Sequence, residues 1–218
     1  YTPNANYESV AEHALALILG VTKHICSYNQ QMKKTKEWCQ GKFQPIELKG
    51  KIVGLIGLGR IGKRLTELLE PFQVEIVAYD PFVAKKEAFK QIKLVDNLDS
   101  LLSVSDIISI HCPLTPETQS MIDSAKIEKM KTGVMVINTA RGPIIDEKAF
   151  IHALKNGKIA GAGLDTFVQE PLPEDSPLYY LENVVLTPHT GGTAQESFIR
   201  MGEEAVDMAI KILEDRKE

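Results

Sequence analysis

From Lys51 onward, short runs rich in β-branched residues alternate with amphipathic stretches, and this alternation constrains the fold more than any other feature of the chain. The apolar runs are Lys51–Ile56, Val74–Tyr79, Ile92–Val95, Ile107–His111, Val134–Asn138, Ala160–Asp165 and Val184–Thr187. Between several of them lie segments of helical periodicity, near Ile61–Leu69, Lys85–Gln91, Ser124–Met130 and Glu147–Asn156. Strand, crossover helix and strand in repetition implies a parallel sheet, because parallel neighbours need a long return connection. The run Ile52-Val53-Gly54-Leu55-Ile56 is apolar without alternation, as burial on both faces of a sheet requires. The expected fold is therefore α/β, a Rossmann-type doubly wound parallel sheet with flanking helices, its core spanning about 51–189.

Two further helices flank that core. Ser9-Val10-Ala11-Glu12 matches a capping box and opens one long helix over about 9–32. Its first half is apolar nearly all round, so it is expected to be buried or to lie at a subunit contact. A polar, Lys-rich connection follows, with Trp38 and Pro45 as its expected anchors. Thr193-Ala194-Gln195-Glu196 is a second capping box, opening a final helix that runs to about Glu214.

Composition removes whole classes of function. Twenty-five Lys and Arg against 29 Asp and Glu leave a net charge of −4, which offers no footprint for nucleic acid or an anionic membrane. The most apolar run, Ala14 to Val21, is too short to span a bilayer. Three cysteines, Cys26, Cys39 and Cys112, form neither an even framework nor a Cys-x-x-Cys pair. With no basic leader at Tyr1-Thr2-Pro3-Asn4, the expected location is the reduced cytoplasm. No spacing of His, Cys, Asp and Glu suggests a metal site.

Gly57-Leu58-Gly59-Arg60-Ile61-Gly62 follows the first strand and opens the next helix. In that setting Gly57 permits a tight turn, Gly59 lets backbone approach a pyrophosphate, and Gly62 lets helix pack on strand. The free N–H groups of Arg60 and Ile61 would point at the phosphates. Strand Val74–Tyr79 ends in Asp80, placed to accept hydrogen bonds from an adenosine ribose and to repel a 2′-phosphate, so NAD is favoured over NADP. The plain alternative is a structural glycine turn with Asp80 as a turn residue before Pro81.

Ligands of open parallel sheets bind at the carboxyl ends of the strands. Those ends carry His111-Cys112-Pro113, Thr139-Ala140-Arg141-Gly142, Asp165 with Glu170-Pro171 beyond it, and Pro188-His189 followed by Gly191-Gly192. Arginine offers a planar fork to a carboxylate or a polarised carbonyl. Histidine exchanges a proton near neutral pH, and a neighbouring glutamate stabilises its charged form. Hydride chemistry on a hydroxy acid needs that inventory. Singly, each residue also has an ordinary reading: Arg141 as a surface ion-pair partner, Glu170 as a loop carboxylate, His189 as a satisfied loop histidine. His13, His24 and His152 lie on helices, where packing or solvation suffices, whereas His111 at a strand end lines the cleft or merely fills it. Cys112 has no basic activator beside it and reads as a buried small residue.

With these residues assembled, the chain resembles the D-isomer-specific 2-hydroxyacid dehydrogenases, a family that includes D-3-phosphoglycerate dehydrogenase and hydroxypyruvate or glyoxylate reductases. The matching stretches, in order, are Asn4 to His13, Gly57 to Gly62, His111 to Thr115, Asn138 to Gly142, Gly163-Leu164-Asp165-Thr166-Phe167 with Glu170-Pro171, and Thr187 to Gly192. The resemblance implies an NAD-dependent oxidoreductase that interconverts a D-2-hydroxy acid and its 2-keto acid. D-3-phosphoglycerate is the preferred substrate and hydroxypyruvate or glyoxylate the alternative. In this scheme His189 is the acid–base, Glu170 its partner, and Arg141 the anchor for the substrate carboxylate. Asp165 holds the nicotinamide carboxamide, Thr139 and Ala140 meet the nicotinamide side by backbone, and Cys112, Pro113 and Thr118 lie along the groove. The family pairs subunits through this domain, so a homodimer is expected. Residues 1–192 would form the NAD-binding domain and 193–218 a helix crossing to a substrate lobe that is largely absent, so these residues alone would bind NAD and turn over little. A dinucleotide-sensing scaffold, like the corepressors that share this fold, is the alternative from another class.

Overall fold

The computed structural model describes residues 5–83 and 91–215. Its strands are β1 (Ile52–Ile56), β2 (Glu75–Tyr79), β3 (Ile92–Leu94), β4 (Ile107–Ile110), β5 (Val134–Asn138), β6 (Ile159–Leu164) and β7 (Val184–Leu186). All pair in parallel, in the order β3-β2-β1-β4-β5-β6-β7. The chain moves outward from β1 to β3, then returns to lay β4 on the other edge of β1. That reversal opens a crevice beyond the carboxyl ends of β1 and β4.

The helices are α1 (Tyr7–Thr22), α2 (Ile25–Thr35), α3 (Arg60–Leu69), α4 (Leu98–Val104), α5 (Ser124–Lys129), α6 (Glu147–Lys155) and α7 (Gln195–Asp215). The unbroken apolar strands feed two cores, one on each face of the sheet. Val134 and Val136 of β5 join Leu101, Leu102, Ile127 and Phe150 from α4, α5 and α6. Met135 and Ile137, pointing the other way, join Leu17, Ile18, Leu65 and Leu69 from α1 and α3. Each such buried side chain stabilises the fold by about 1.5–3 kcal/mol, so the strand ends are held on a rigid platform.

Several expectations are corrected. The expected single helix over 9–32 is two. It starts at Tyr7, with Ser9 buried inside the first turns instead of capping them. It breaks at His24, whose φ of 53° is left-handed. There the Thr22 hydroxyl donates to the Ile18 carbonyl, the Lys23 ammonium donates to the Ile46 carbonyl, and the His24 ring stacks on Phe43 at 5.3 Å. Helix α1 packs on α3 and on β5, β6 and β7, burying Val10, Ala11, Ala14, Leu17, Ile18 and Val21 as expected while leaving Ala16 exposed. Trp38 is 80% exposed and Pro45 is exposed, so neither anchors the connection; Phe43 and the buried Leu48 do. Helix α4 was not anticipated; the Asn97 side chain caps it by accepting the Ser100 N–H at 2.9 Å. The second capping box is also absent: the Thr193 hydroxyl donates to the Thr190 carbonyl, and the helix begins at Gln195. The helical segment expected near Lys85–Gln91 lies almost wholly outside the described residues.

Candidate active site

The glycine loop leaves β1 against the end of β4. Gly57 has φ of 96°, and a Cβ there would stand 2.8 Å from the Cys112 nitrogen, so only glycine lets the two loops touch. At Gly62 a Cβ would meet the Gly57 carbonyl oxygen at 2.5 Å, which fixes how closely α3 seats on the strand. Gly59 faces open space and precedes the first turn of α3, which no side chain caps. Its free N–H groups therefore offer themselves to an anion. Asp80 does more than end β2. Its Oδ2 accepts the Leu58 N–H at 2.8 Å and its Oδ1 the Phe82 N–H at 2.9 Å, bracing the glycine loop while keeping further lone pairs available.

Beyond β4, His111 bonds Ser109 Oγ through Nε2 at 2.8 Å, and burial pushes its pKa down to about 4, so the ring is neutral at pH 7. Burial likewise pushes the Cys112 thiol up to about 11, which removes it as a nucleophile near neutrality. The Thr118 hydroxyl donates to the Pro113 carbonyl and accepts the Thr115 N–H, both at 2.7 Å. It holds the turn and does not line the crevice. Beyond β5, the buried Asn138 ties down residues 139–141: Nδ2 donates to the Arg141 carbonyl and Oδ1 accepts the Ala140 N–H. The Arg141 guanidinium stays exposed, its Nη1 donating to the Ala140 carbonyl at 2.6 Å. Next to it, a Cβ on Gly142 would sit 2.0 Å from the Phe167 carbonyl carbon, so the arginine loop lies directly on the backbone leading to Glu170.

Asp165, at the end of β6, organises the loop after β7. Its Oδ1 accepts the Thr187 hydroxyl at 2.6 Å and the Thr190 N–H at 2.9 Å, and its Oδ2 accepts the Gly191 N–H at 2.9 Å. Its carbonyl accepts the His189 N–H at 2.8 Å. Burial works to raise the pKa of this carboxyl; bonds from His13, Thr187, Thr190 and Gly191 outweigh it and bring the value down to about 2. That scaffold holds His189 at a left-handed φ of 54°, a conformation costing roughly 1–2 kcal/mol outside glycine. His189 Nδ1 lies 2.8 Å from Glu170 Oε2, while Glu170 Oε1 accepts the Phe167 N–H. Burial works to raise the Glu170 pKa, but the bonds from His189 and Phe167 and the charges of His189 and Arg141 leave it lowered. A pair this exposed contributes roughly 0–1 kcal/mol to folding, so its consequence is orientation. Because a carboxylate only accepts, Nδ1 carries the proton and Nε2 of the neutral ring is left with a lone pair.

These loops surround an open cleft of about 860 Å³, within the roughly 300–1,000 Å³ of small-molecule sites. Its lining includes Gly59, Arg60 and Ile61 from the glycine loop, His111, Cys112 and Pro113 after β4, Thr139, Ala140 and Arg141 after β5, and Asp165, His189 and Gly192. Gly57, Gly62, Asp80, Glu170 and Gly191 stand behind that lining and set its shape. The sequence did not point to Asn6 and Tyr7 at the start of α1, or Phe198 and Met201 on α7, which complete the wall. The buried Thr139 Oγ1 and His111 Nδ1 have no hydrogen-bond partner among the described residues. Such orphaned groups beside an uncapped helix start suit a dinucleotide rich in acceptors and donors. Among the described residues no group of His, Cys, Asp and Glu could hold a metal ion, and no helix is long and apolar enough to cross a membrane.

Residues 15–191 match the family model of the D-isomer specific 2-hydroxyacid dehydrogenase, NAD binding domain. The chain belongs to that family. It is 44% identical over 212 residues to a D-3-phosphoglycerate dehydrogenase of Archaeoglobus fulgidus, an alignment covering 95% of this chain and 40% of that protein. A glyoxylate reductase of Thermofilum pendens is 42% identical over 220 residues, covering 98% of this chain and 64% of the relative. Among solved structures, the D-lactate dehydrogenase of Aquifex aeolicus, complexed with NAD and lactic acid, superposes with a TM-score of 0.87 at 34% identity. That match covers 98% of this chain and 68% of the other. The 2-hydroxyacid dehydrogenase domain described here thus spans about 40% of the length of the phosphoglycerate dehydrogenase it matches. Its cofactor is NAD.

Proposed function

We propose that this chain is the cofactor-binding part of an enzyme that interconverts a D-2-hydroxy acid and its 2-keto acid, with D-3-phosphoglycerate as substrate. The observation that carries the reading is the His189–Glu170 pair at 2.8 Å, with His189 lining the same cleft as the exposed Arg141 and Glu170 behind it. The residues that would hold NAD are Gly59, Arg60 and Ile61 at the pyrophosphate, Asp80 at the ribose, and Thr139, Ala140 and Asp165 at the nicotinamide side. Bound NAD supplies the hydride acceptor. Arg141 binds the carboxylate of the acid and holds its C2 oxygen. His189 Nε2 takes the hydroxyl proton during oxidation and returns it during reduction, and Glu170 stabilises the imidazolium formed in between. Arg60 to Gly62 and the loops at 111–113 and 139–141 fix the geometry before any substrate arrives, which lowers the entropic cost of reaction.

In this proposal the part up to residue 192 holds the cofactor, and helix α7 (Gln195–Asp215) crosses to a separate substrate lobe. The exposed Phe198, Ile199, Val206, Ile210 and Leu213 support that role for the helix. The exposed Ile25, Met32 and Trp38 support pairing of two copies through this domain, and the unpaired cysteines support a cytoplasmic setting. A hydroxypyruvate or glyoxylate reductase is the second reading, favoured by the 42% identity to the Thermofilum pendens enzyme. Assay of the whole protein with NADH and a panel of 2-keto acids separates the two. In the same assay His189→Ala abolishes turnover and spares NADH affinity; retained turnover would remove His189 from the role of proton carrier.

A further inference from the structure

Helix α1 carries a histidine that the glycine loop and the strand ends do not account for. His13 Nε2 lies 2.9 Å from Thr187 Oγ1 and 3.3 Å from Asp165 Oδ1, with the side chain 21% exposed. It stands off the buried stripe of α1, formed by Val10, Ala14, Leu17, Ile18 and Val21. The protons at this junction follow from counting. Thr187 has one hydroxyl hydrogen and donates it to Asp165 Oδ1 at 2.6 Å. The Asp165 carboxylate accepts only. Thr187 Oγ1 can therefore only accept from the imidazole, and the hydrogen between them belongs to His13 Nε2. Three segments of chain meet here: α1, the end of β6, and the loop after β7 that carries His189. A Cβ on Gly191 would stand 2.9 Å from Asp165 Oδ2 and 3.5 Å from His13 Cδ2, so the loop lies flush on the imidazole.

We propose that His13 is a positioning residue: its Nε2–H clamps Thr187 to Asp165 and so fixes the left-handed turn that aims His189 into the cleft. The consequence for chemistry rests on His189 being the acid–base group, whereas the clamp itself is read from the loop amides. The experiment is amide hydrogen exchange, followed by NMR, on the 218-residue chain as wild type, His13→Leu and His13→Gln. Loss of the hydrogen bond donated to the Thr187 hydroxyl is expected to speed exchange at Thr190 and Gly191 about fivefold in His13→Leu. Glutamine carries an N–H at similar reach and restores both rates to within about twofold. Core amides at Ile108 and Val136 keep their rates in both variants. Unchanged exchange at Thr190 and Gly191 in folded His13→Leu overturns the proposal. So does equal acceleration at Ile108 and Val136, which would make His13 a packing residue, or a failure of glutamine to rescue. Should His13→Leu not fold, His13→Asn, one methylene too short to reach, gives the same comparison with His13→Gln. Retained turnover in His189→Ala would overturn the acid–base reading without altering any of these rates.

Discussion

Replacing Asp165 by asparagine removes one charge from the junction that supports the His189 loop, and the cost follows from its titration. The carboxyl titrates at about 2 instead of its ordinary 3.8. At about 1.4 kcal/mol per unit, a difference of nearly two units is worth roughly 2 kcal/mol. The folded value is depressed, so this stability is present in full above about pH 5 and is lost as pH falls through 3.8 toward 2. About half of it remains at pH 3. Asparagine keeps one acceptor oxygen but turns an NH₂ group toward the donors of Thr187, Thr190 and Gly191. The expected loss in Asp165→Asn at pH 7 is therefore about 2–3 kcal/mol. Urea unfolding followed by far-ultraviolet circular dichroism measures it, since the lone Trp38 is solvent-exposed and reports poorly on folding. The gap between wild type and variant should narrow by about 1 kcal/mol between pH 7 and pH 3. A gap below about 0.5 kcal/mol, or one independent of pH over that range, would refute the electrostatic account of this junction.

Two other outcomes follow from the cleft. Asp80→Ala releases the Leu58 and Phe82 N–H groups together with the proposed ribose acceptor, so NADH affinity, read by fluorescence titration, should fall about tenfold or more; an unchanged Kd would show that the carboxylate serves neither. At pH 7.5 iodoacetamide should modify the exposed Cys26 and leave Cys112, with its thiol near 11, untouched, as mass spectrometry of the digested chain would show; comparable labelling of both contradicts the burial argument.

The sheet was legible because its signal is local. A strand buried on both faces needs an unbroken apolar run, and Val134–Asn138 is the same five residues in the sequence and in the structure. Helices whose signal is short or contextual were not legible. Helix α4 follows β3 after only three residues, and the Asn97 cap is the local signal that announces it. The break at His24 carries neither glycine nor proline, and is held by side chains reaching to Ile46 and Phe43. Reading the ends of strands brought Arg141, Asp165 and His189 to one cleft, since topology alone places those ends together. Asn138, which ties down the arginine loop, looked like the last residue of a strand. His13 reads in sequence as one more helical histidine, because its partner Thr187 lies 174 residues away, a contact no local pattern encodes.

The seam at Gly142 has a consequence of its own. There the main chain bearing the guanidinium rests on the main chain bearing the acidic partner of the imidazole, with no side chain between them. The spacing between the segments that carry Arg141 and Glu170 is thus ruled by polypeptide geometry, and a methyl group inserted at that point would spread both at once. In the proposed enzyme, a broader or narrower range of acids would come from walls away from this joint, such as those contributed by Tyr7, Phe198 and Met201.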